Sequence, residues 1–276
     1  MQQVLKTMLE NVRAKTPLVH NITNYVTVND VANVLLAGGA SPIMADDAAE
    51  VEEITAICGG LNINIGTLNK NTIPSMFLAG KKANELGHIV LLDPVGAGAS
   101  RLRTDTANRL MQEVRFDAVR GNISEIKTLC TGSGSTKGVD ADAVDAVTEA
   151  NLDDSVQLVK TFAQRAGCIV AVTGAIDLVS DGERCWCIRN GRAEMSRITG
   201  TGCQLSALMT AFLVANPDHK LAAAAAAVCM MGLAGEIGWA NMQPGDGNST
   251  YRNRIIDAIF NMTGDALEEG AKYELR

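Results

Sequence analysis

A glycine-rich segment late in the chain has residue types suited to phosphate chemistry. It reads RITGTGCQLSA over residues 197–207 and runs directly into a pattern typical of a helix. Glycines would let the backbone turn its N–H groups toward one point, where a helix N-terminus adds about half a positive charge. An ordinary glycine-containing loop before a helix is the alternative, and spacing alone does not separate the two. The residues that would form this phosphate or phosphoryl site are Gly200, Thr201, Gly202 and Cys203.

Two acidic residues are candidates for a magnesium site. Asp93 ends an apolar run and precedes a tight turn, PVGAG, at residues 94–98. A carboxylate there suits Mg²⁺ or its waters, but it also suits an aspartate that merely caps the turn. Glu125 lies three residues after Asn122, a spacing typical of a helix capping box. One carboxylate can accept hydrogen bonds in both roles, so the two interpretations of Glu125 are compatible.

Two further residues could contact the phosphates of a nucleotide. Arg120 follows an apolar run and precedes Gly121, and its guanidinium suits a phosphate. Thr173 ends a later apolar run beside Gly174. A hydroxyl next to a glycine is a weak signal by itself.

Cys203 at the predicted helix start could interact with a substrate alcohol. A free thiol has a pKa of about 8.5, and a helix N-terminus is expected to lower it. The negative charge of a nearby triphosphate would raise the same pKa again. We therefore hypothesise a modest role for Cys203, which is to place a hydroxyl and to accept its proton.

Alternating strands and helices must position these residues. Short apolar runs and stretches of helical spacing alternate through the first 130 residues. This alternation predicts right-handed βαβ units and a mainly parallel sheet with helices on both faces, with ligands at the carboxyl ends of the strands. The predicted strands are 18–19, 41–44, 61–65, 89–92, 116–119 and 168–172, and the predicted helices are 26–36, 73–86, 106–114 and 154–165.

The later part of the chain predicts an antiparallel meander at one sheet edge. Its strands would be residues 176–180, 184–189 and 192–196, joined by Asp181-Gly182 and Asn190-Gly191, which suit two-residue hairpin turns. Residues 131–152 predict a surface loop, and the chain after Gly202 is predicted to be almost entirely helical. No repeat and no second core is evident, so we expect one α/β domain over residues 1–276.

Composition excludes several classes of protein. The 24 basic and 31 acidic residues give a net charge of −7, which favours neither nucleic acid nor an anionic membrane surface. Seven cysteines without a CxxC pair argue against a disulfide framework or a zinc site and favour the reducing cytoplasm. The N-terminus lacks the apolar core of a signal peptide, and the longest apolar run, 221–235, is shorter than the ~20 residues of a membrane span.

Six motifs, in this order and spacing, cover nearly the whole chain. They are HNITNYV at 20–26, ASPIMA at 40–45, NIGTL at 64–68, LDPVGAGA at 92–99, RGN at 120–122 followed by Glu125, and TGTGC at 199–203. As a set they resemble the hydroxyethylthiazole kinase family. The resemblance implies a ribokinase-like, three-layer α/β/α fold and ATP-dependent phosphorylation of the primary alcohol of 4-methyl-5-(2-hydroxyethyl)thiazole, in thiamine biosynthesis and salvage.

The resemblance also implies roles for individual residues. Arg120 and Thr173 would contact ATP, and Asp93 and Glu125 would arrange Mg²⁺. Cys203 would stand where the wider ribokinase group usually carries an aspartate base. The thiazole would contact Met44, Gly200 and Asn24.

The resemblance further implies a homotrimer with active sites near subunit interfaces. Asp46 and Asp47, which follow the ASPIMA motif, depart from the family pattern and add charge near the substrate entrance.

Three other functions remain open from sequence. Another ribokinase-like kinase, such as a hydroxymethylpyrimidine kinase, would differ only in its alcohol. A hydrolase with Cys203 as nucleophile would need a histidine base, and none of the three histidines can be placed beside it. A nucleotide-binding sensor without activity would have no need of an alcohol-facing group.

Overall fold

The computed structural model describes residues 3–132 and 146–276, in which nine strands form one sheet. The strands are β1 (Leu18–Ile22), β2 (Ser41–Met44), β3 (Gly60–Asn64), β4 (Ile89–Asp93), β5 (Ala118–Asn122), β6 (Ile169–Thr173), β7 (Asp177–Ser180), β8 (Cys185–Ile188) and β9 (Tyr273–Leu275). Their order across the sheet is β2-β1-β3-β4-β5-β6-β7-β8-β9. β1 to β6 are parallel, whereas β7, β8 and β9 extend one edge in antiparallel fashion.

Helices cover both faces of this sheet. The described residues form α1 (Val4–Lys15), α2 (Val28–Gly38), α3 (Val51–Ile57), α4 (Thr72–Leu86), α5 (Arg101–Glu113), α6 (Ile123–Thr131), α7 (Leu152–Ala166), α8 (Thr201–Ala215), α9 (Lys220–Ala240), α10 (Asn248–Asn261) and α11 (Gly264–Gly270). Short 3₁₀ turns lie at Glu149–Asn151, Ala193–Arg197 and Pro217–His219.

Two apolar cores, one on each face of the sheet, make the fold three-layered. Successive side chains of β4 point to opposite faces, so Leu91 packs with α1, α2 and α8–α11 while Val90 and Leu92 pack with α3–α7. Because both faces of the sheet are covered, β4 and β6 are continuous apolar runs up to their last residue. The predicted three-layer α/β/α architecture with a mainly parallel sheet is confirmed.

Most predicted elements are present, with shifted ends. Gly39 has a φ of +94° and ends α2, because glycine adopts this left-handed conformation without strain. Asp181-Gly182 forms the turn between β7 and β8. α5 begins at Arg101 and not at residue 106, because Ser100 caps it by accepting a hydrogen bond from the backbone N–H of Arg103. The predicted loop at 131–152 falls largely on residues 133–145, outside the described residues.

The predicted strand at 192–196 is wrong, because a 3₁₀ turn occupies Ala193–Arg197. Asn190 and Gly191 do not form a hairpin turn. The carboxylate of Glu236 on α9 accepts hydrogen bonds from the Asn190 side chain and the Gly191 N–H, which fixes this bend against the helix and not along the sheet. The third antiparallel strand is β9, which pairs with β8 from a much later part of the chain.

The alanine-rich run at 221–235 lies inside α9, which is longer than the run itself. Together with the preceding turn, the helical stretch Pro217–Ala240 spans 24 residues, and its most apolar 18-residue segment has a mean hydropathy of 1.7, which by length and composition would suffice to cross a membrane. However, 83% of this 18-residue segment is buried within the protein. The helix is therefore the centre of one of the two cores.

Candidate active site

The carboxyl ends of five parallel strands and the N-terminus of α8 meet at one place. Asp93 ends β4, and its Oδ2 accepts a hydrogen bond from Ser206 of α8 at 2.8 Å. α8 thus runs over the sheet with its first turn above the strand ends, as the topology of a parallel sheet predicts. The polar residues brought together there are Asn24, Asn64, Asp93, Arg120, Thr173, Cys203 and Ser206.

The N-terminus of α8 has no side-chain cap. Gly200 occupies the capping position with a φ of +87°, and no described side chain accepts a hydrogen bond from the first turn. A Cβ on Gly200 would lie 2.3 Å from Cγ2 of Thr27, and one on Gly202 would lie 2.5 Å from Nη2 of Arg120. Both glycines therefore allow close approaches, and the helix start keeps N–H groups available for an anion.

Arg120 lies beside this helix start and forms a buried pair with Asp93. Its Nη2 donates to Oγ1 of Thr173 at 2.6 Å, and its Nη1 lies 3.5 Å from Oδ1 of Asp93. Nε of Arg120 is buried and has no hydrogen-bond partner within residues 3–132 and 146–276. Burial raises the pKa of Asp93, although Arg120, Ser206 and Asn64 oppose this shift. The guanidinium is thus only partly satisfied by the protein and has capacity for a further acceptor.

Glu125 joins the turn after β4 to the start of α6. Oε1 accepts from the N–H of Gly96 and Oε2 from the N–H of Asn122, both at 2.8 Å. With Asn122 accepting from the Glu125 N–H, the predicted capping box is present. Burial, followed by the negative charge of Asp93, raises the pKa of Glu125 to about 7.

Two buried carboxylates that disfavour each other's charge suit a hard cation. The charge of Asp93 raises the pKa of Glu125, and among the described residues Oδ1 of Asp93 has only the long contact with Arg120. Within residues 3–132 and 146–276, no group of three or more acidic, histidine or cysteine side chains could hold a metal alone. Mg²⁺ commonly binds one or two carboxylates together with substrate phosphates and water, so this donor set fits a magnesium ion brought in with a nucleotide.

Cys203 is buried next to two asparagines. Nδ2 of Asn24 lies 3.2 Å from the Cys203 Sγ and also donates to Oδ1 of Asn64 at 3.1 Å. The pKa of the thiol is raised overall, because burial and then the charge of Asp93 act against the lowering expected from a helix N-terminus. His20 is bound to Thr55 and Ala45, and no described histidine hydrogen-bonds to Cys203. This arrangement disfavours a cysteine-nucleophile hydrolase.

A cavity of about 120 Å³ has Asn64 of this cluster among its lining residues. Met44 ends β2, is partly buried and is not among the residues that line the cavity, whereas Asp46 lines it and is exposed. Asn64 connects the cavity to the site, because its Nδ2 donates to Asp93 and its Oδ1 accepts from Asn24. The cavity is lined by Thr23, Tyr25, Val28, Asp46, Asn64, Thr67, Asn69, Thr72 and Met76.

Sequence reasoning missed three residues of this site. Asn64 belongs to the NIGTL motif, whose spacing predicts no role for it, although it bonds to both Asp93 and Asn24. Ser206 lies one helical turn after Cys203 and therefore on the same face of α8. Arg103 gives no signal in the sequence, because it donates to the backbone carbonyl groups of Gly66 and Val95, and backbone groups leave no side-chain pattern.

The family and structural comparisons agree with this geometry. A model of the hydroxyethylthiazole kinase family matches residues 9–265. Hydroxyethylthiazole kinase of Clostridium acetobutylicum is 58% identical over 271 residues, covering 98% of this chain and 99% of that protein. The solved structure of hydroxyethylthiazole kinase from Pyrococcus horikoshii OT3 is 34% identical, with a TM-score of 0.88 over 100% of both chains. A ribokinase-like superfamily protein from Enterococcus faecalis, at 11% identity and a TM-score of 0.62 over 94% of both chains, shares the fold.

Proposed function

Because the chain belongs to the hydroxyethylthiazole kinase family, we propose that it transfers the γ-phosphoryl group of ATP to the primary alcohol of 4-methyl-5-(2-hydroxyethyl)thiazole. The family resemblance predicted from the six motifs is confirmed, as is the ribokinase-like fold. The product would be a thiazole phosphate ester, which serves thiamine biosynthesis and salvage.

The observation that carries the proposal is the uncapped start of α8 beside Arg120. Phosphoryl transfer requires positioning and charge neutralisation more than covalent help. The N–H groups of Gly200 to Cys203 would hold the migrating phosphoryl group. The guanidinium of Arg120, which would lie only 2.5 Å from a Cβ built at Gly202, would neutralise adjacent phosphate oxygens. Arg120 and Thr173, already joined at 2.6 Å, form the proposed contact to the ATP phosphates.

We place the thiazole alcohol between the cavity and Cys203. Asn24 contacts the Cys203 thiol and Asn64, so a substrate reaching from the cavity past Asn64 would bring its hydroxyl to the start of α8. Met44 and Gly200 remain proposed substrate contacts, and Asp46 would influence which ring systems enter. The raised pKa keeps the Cys203 thiol protonated at neutral pH. Cys203 therefore orients the hydroxyl as a neutral thiol, which could accept the alcohol proton only after losing its own. The late proton loss of a loose transition state makes such a base unnecessary.

Asp93 and Glu125 are the proposed partners of Mg²⁺. When bound, the ion would supply charge neutralisation on the phosphate oxygens. Asp93 is fixed by Asn64 and Ser206, and Glu125 is fixed by two backbone N–H groups, so the carboxylates hold their orientation without it.

We further propose that residues 1–276 form one cytoplasmic kinase domain that assembles as a homotrimer. The cavity of a single chain is smaller than the ~300–1,000 Å³ of typical ligand sites, which suggests that a neighbouring subunit completes it. Tyr25 at the cavity and Val26 beside it are 77% and 57% exposed, as apolar interface residues would be in an isolated chain. Sedimentation equilibrium tests this: a monomeric mass at working concentration would exclude the trimer.

Product analysis tests the proposed reaction. The protein is incubated with ATP and Mg²⁺ and either the thiazole alcohol or hydroxymethylpyrimidine, and the products are identified by mass. We expect ADP release that depends on the thiazole alcohol and a product heavier by one phosphoryl group. Phosphorylation of hydroxymethylpyrimidine alone would reassign the substrate, and tight nucleotide binding without alcohol-dependent ADP release would indicate a sensor.

A further inference from the structure

Arg103 on α5 joins two turns that follow neighbouring strands. Its Nη2 donates to the carbonyl oxygen of Gly66 at 2.6 Å, after β3. Its Nη1 donates to the carbonyl oxygen of Val95 at 3.3 Å, after β4. Hydrogen bonds from a charged donor are stronger than neutral ones, and the planar guanidinium fixes both directions at once. One side chain therefore sets the spacing of the two turns.

Each of these turns leads into a different half of the candidate active site. The N–H of Gly66 donates to Oδ1 of Asn64 at 2.9 Å, and the same oxygen accepts from Asn24, the neighbour of the thiol on the alcohol side. The N–H of Gly96, next to Val95, donates to Glu125 on the phosphate side. The Arg103 guanidinium thus binds the backbone within one peptide unit of the two N–H groups, of Gly66 and Gly96, that orient the alcohol half and the phosphate half of the site.

The local sequence accommodates this clamp. Gly96 has a φ of +74°, and a Cβ there would lie 2.1 Å from Nη1 of Arg103, so only glycine permits the approach. Among the described residues Arg103 has no ion pair, whereas Arg101 and Arg109 on the same helix pair with exposed carboxylates. The charge of Arg103 is directed entirely at backbone carbonyl groups.

We propose that Arg103 is a positioning residue that fixes the distance between the alcohol half and the phosphate half of the site. The inference rests on the proposed kinase function. In-line transfer requires the hydroxyl and the γ-phosphorus to approach closely, and displacements of about 1 Å can reduce a rate roughly 100-fold. Releasing either turn would widen or rotate one half relative to the other without removing any group that touches substrate.

Three variants test this role: Arg103→Met, Arg103→Lys and, as the control, Arg101→Met on the exposed face of α5. After alcohol-dependent ADP release is established for the unmodified protein, kcat and both KM values are measured. We expect Arg103→Met to reduce kcat roughly 10- to 100-fold, because both turns are released. Lysine makes a single point contact, so the kcat of Arg103→Lys should fall between those of Arg103→Met and the unmodified protein. The kcat of Arg101→Met should match that of the unmodified protein.

Hydrogen exchange supplies a readout that does not depend on turnover. Residues 64–67 and 94–98 should exchange faster together in Arg103→Met, with the strands unchanged, and millimolar guanidinium should restore part of kcat. Unchanged kinetics in Arg103→Met would overturn the proposal. So would an activity loss matched by a smaller folded fraction with normal exchange in both turns. If the unmodified protein does not phosphorylate the alcohol, the kinase proposal fails, and the exchange data alone decide whether Arg103 clamps the turns.

Discussion

Replacing Gly202 by alanine should impair nucleotide use while leaving the fold intact. A Cβ at this position would lie 2.5 Å from Nη2 and 2.6 Å from Nη1 of Arg120, where ordinary contact begins near 3.4 Å. The guanidinium must therefore move by about 0.9 Å. A shift of this size away from Thr173 would stretch the 2.6 Å hydrogen bond to about 3.5 Å. The weak pairing with Asp93, already at 3.5 Å, would change as well.

The functional loss follows from the loss of one charged hydrogen bond. Such a bond contributes about 1.5–3 kcal/mol, which corresponds to roughly 10- to 150-fold in kcat/KM for ATP. The KM for the alcohol should change less, because Asn24 and Asn64 are not displaced. Stability should hardly fall, since the clashing atoms end a flexible side chain and alanine favours a helix by up to about 1 kcal/mol over glycine.

Steady-state kinetics and thermal unfolding of the same preparation measure both quantities. Gly247→Ala is the matched control, because a Cβ there meets nothing within 4 Å and the residue lies at the exposed start of α10. A Gly202→Ala protein with kcat/KM for ATP within twofold of the unmodified enzyme would refute the role given to Arg120. A large loss of melting temperature would show instead that the guanidinium cannot move.

Three further predictions concern titrating groups. Cys203→Asp should keep substantial activity, whereas Cys203→Ala should lose about tenfold in kcat, the value of one hydrogen bond; an unchanged kcat in Cys203→Ala would exclude a catalytic role for the thiol. Burial raises the pKa of Asp177 to about 7, so the folded protein loses stability as the pH rises from 3.8 toward 7. Asp177→Asn keeps the oxygen that accepts the hydrogen bond from the Gly174 N–H, and its melting curves should lack this loss. Burial lowers the pKa of His20, so the folded protein loses stability as the pH drops below about 6.5. His20→Gln can still donate to the Ala45 carbonyl, and its melting temperature should depend less on acid. Identical pH profiles of the two proteins would contradict this burial argument.

The apolar runs of the sequence locate the sheet well but end its strands too early. β1 continues from residue 19 to Ile22 and β5 from residue 119 to Asn122. Five of the six added residues are polar or glycine, the exception being Ile22, so the apolar pattern that identifies a buried strand stops before the strand itself does. The same cause hides the start of α5, whose first turn is strongly polar and is identified only by its Ser100 cap.

Non-local effects account for the other differences. The pKa of Cys203 depends on burial and on Asp93, which is 110 residues away in sequence, and these outweigh the local helix terminus. The clamp made by Arg103 depends on carbonyl groups of two separate turns, for which no side-chain pattern exists. Residue types and motifs could therefore identify the groups at the site, whereas their mutual support required the tertiary structure.

The pairing of β8 with β9 has a consequence for how the chain reaches its native state. Ile188 pairs with Tyr273, about 85 residues later in the chain. The outer edge of β8 therefore stays unpaired until the intervening segment, which includes α8, α9 and α10, has brought β9 beside it. β8 is short, apolar and uncharged, and such an edge can recruit a strand from another molecule. Long-range pairing of this kind forms slowly. We therefore expect refolding yield to fall with protein concentration, and to fall further when β9 is weakened by proline at Glu274.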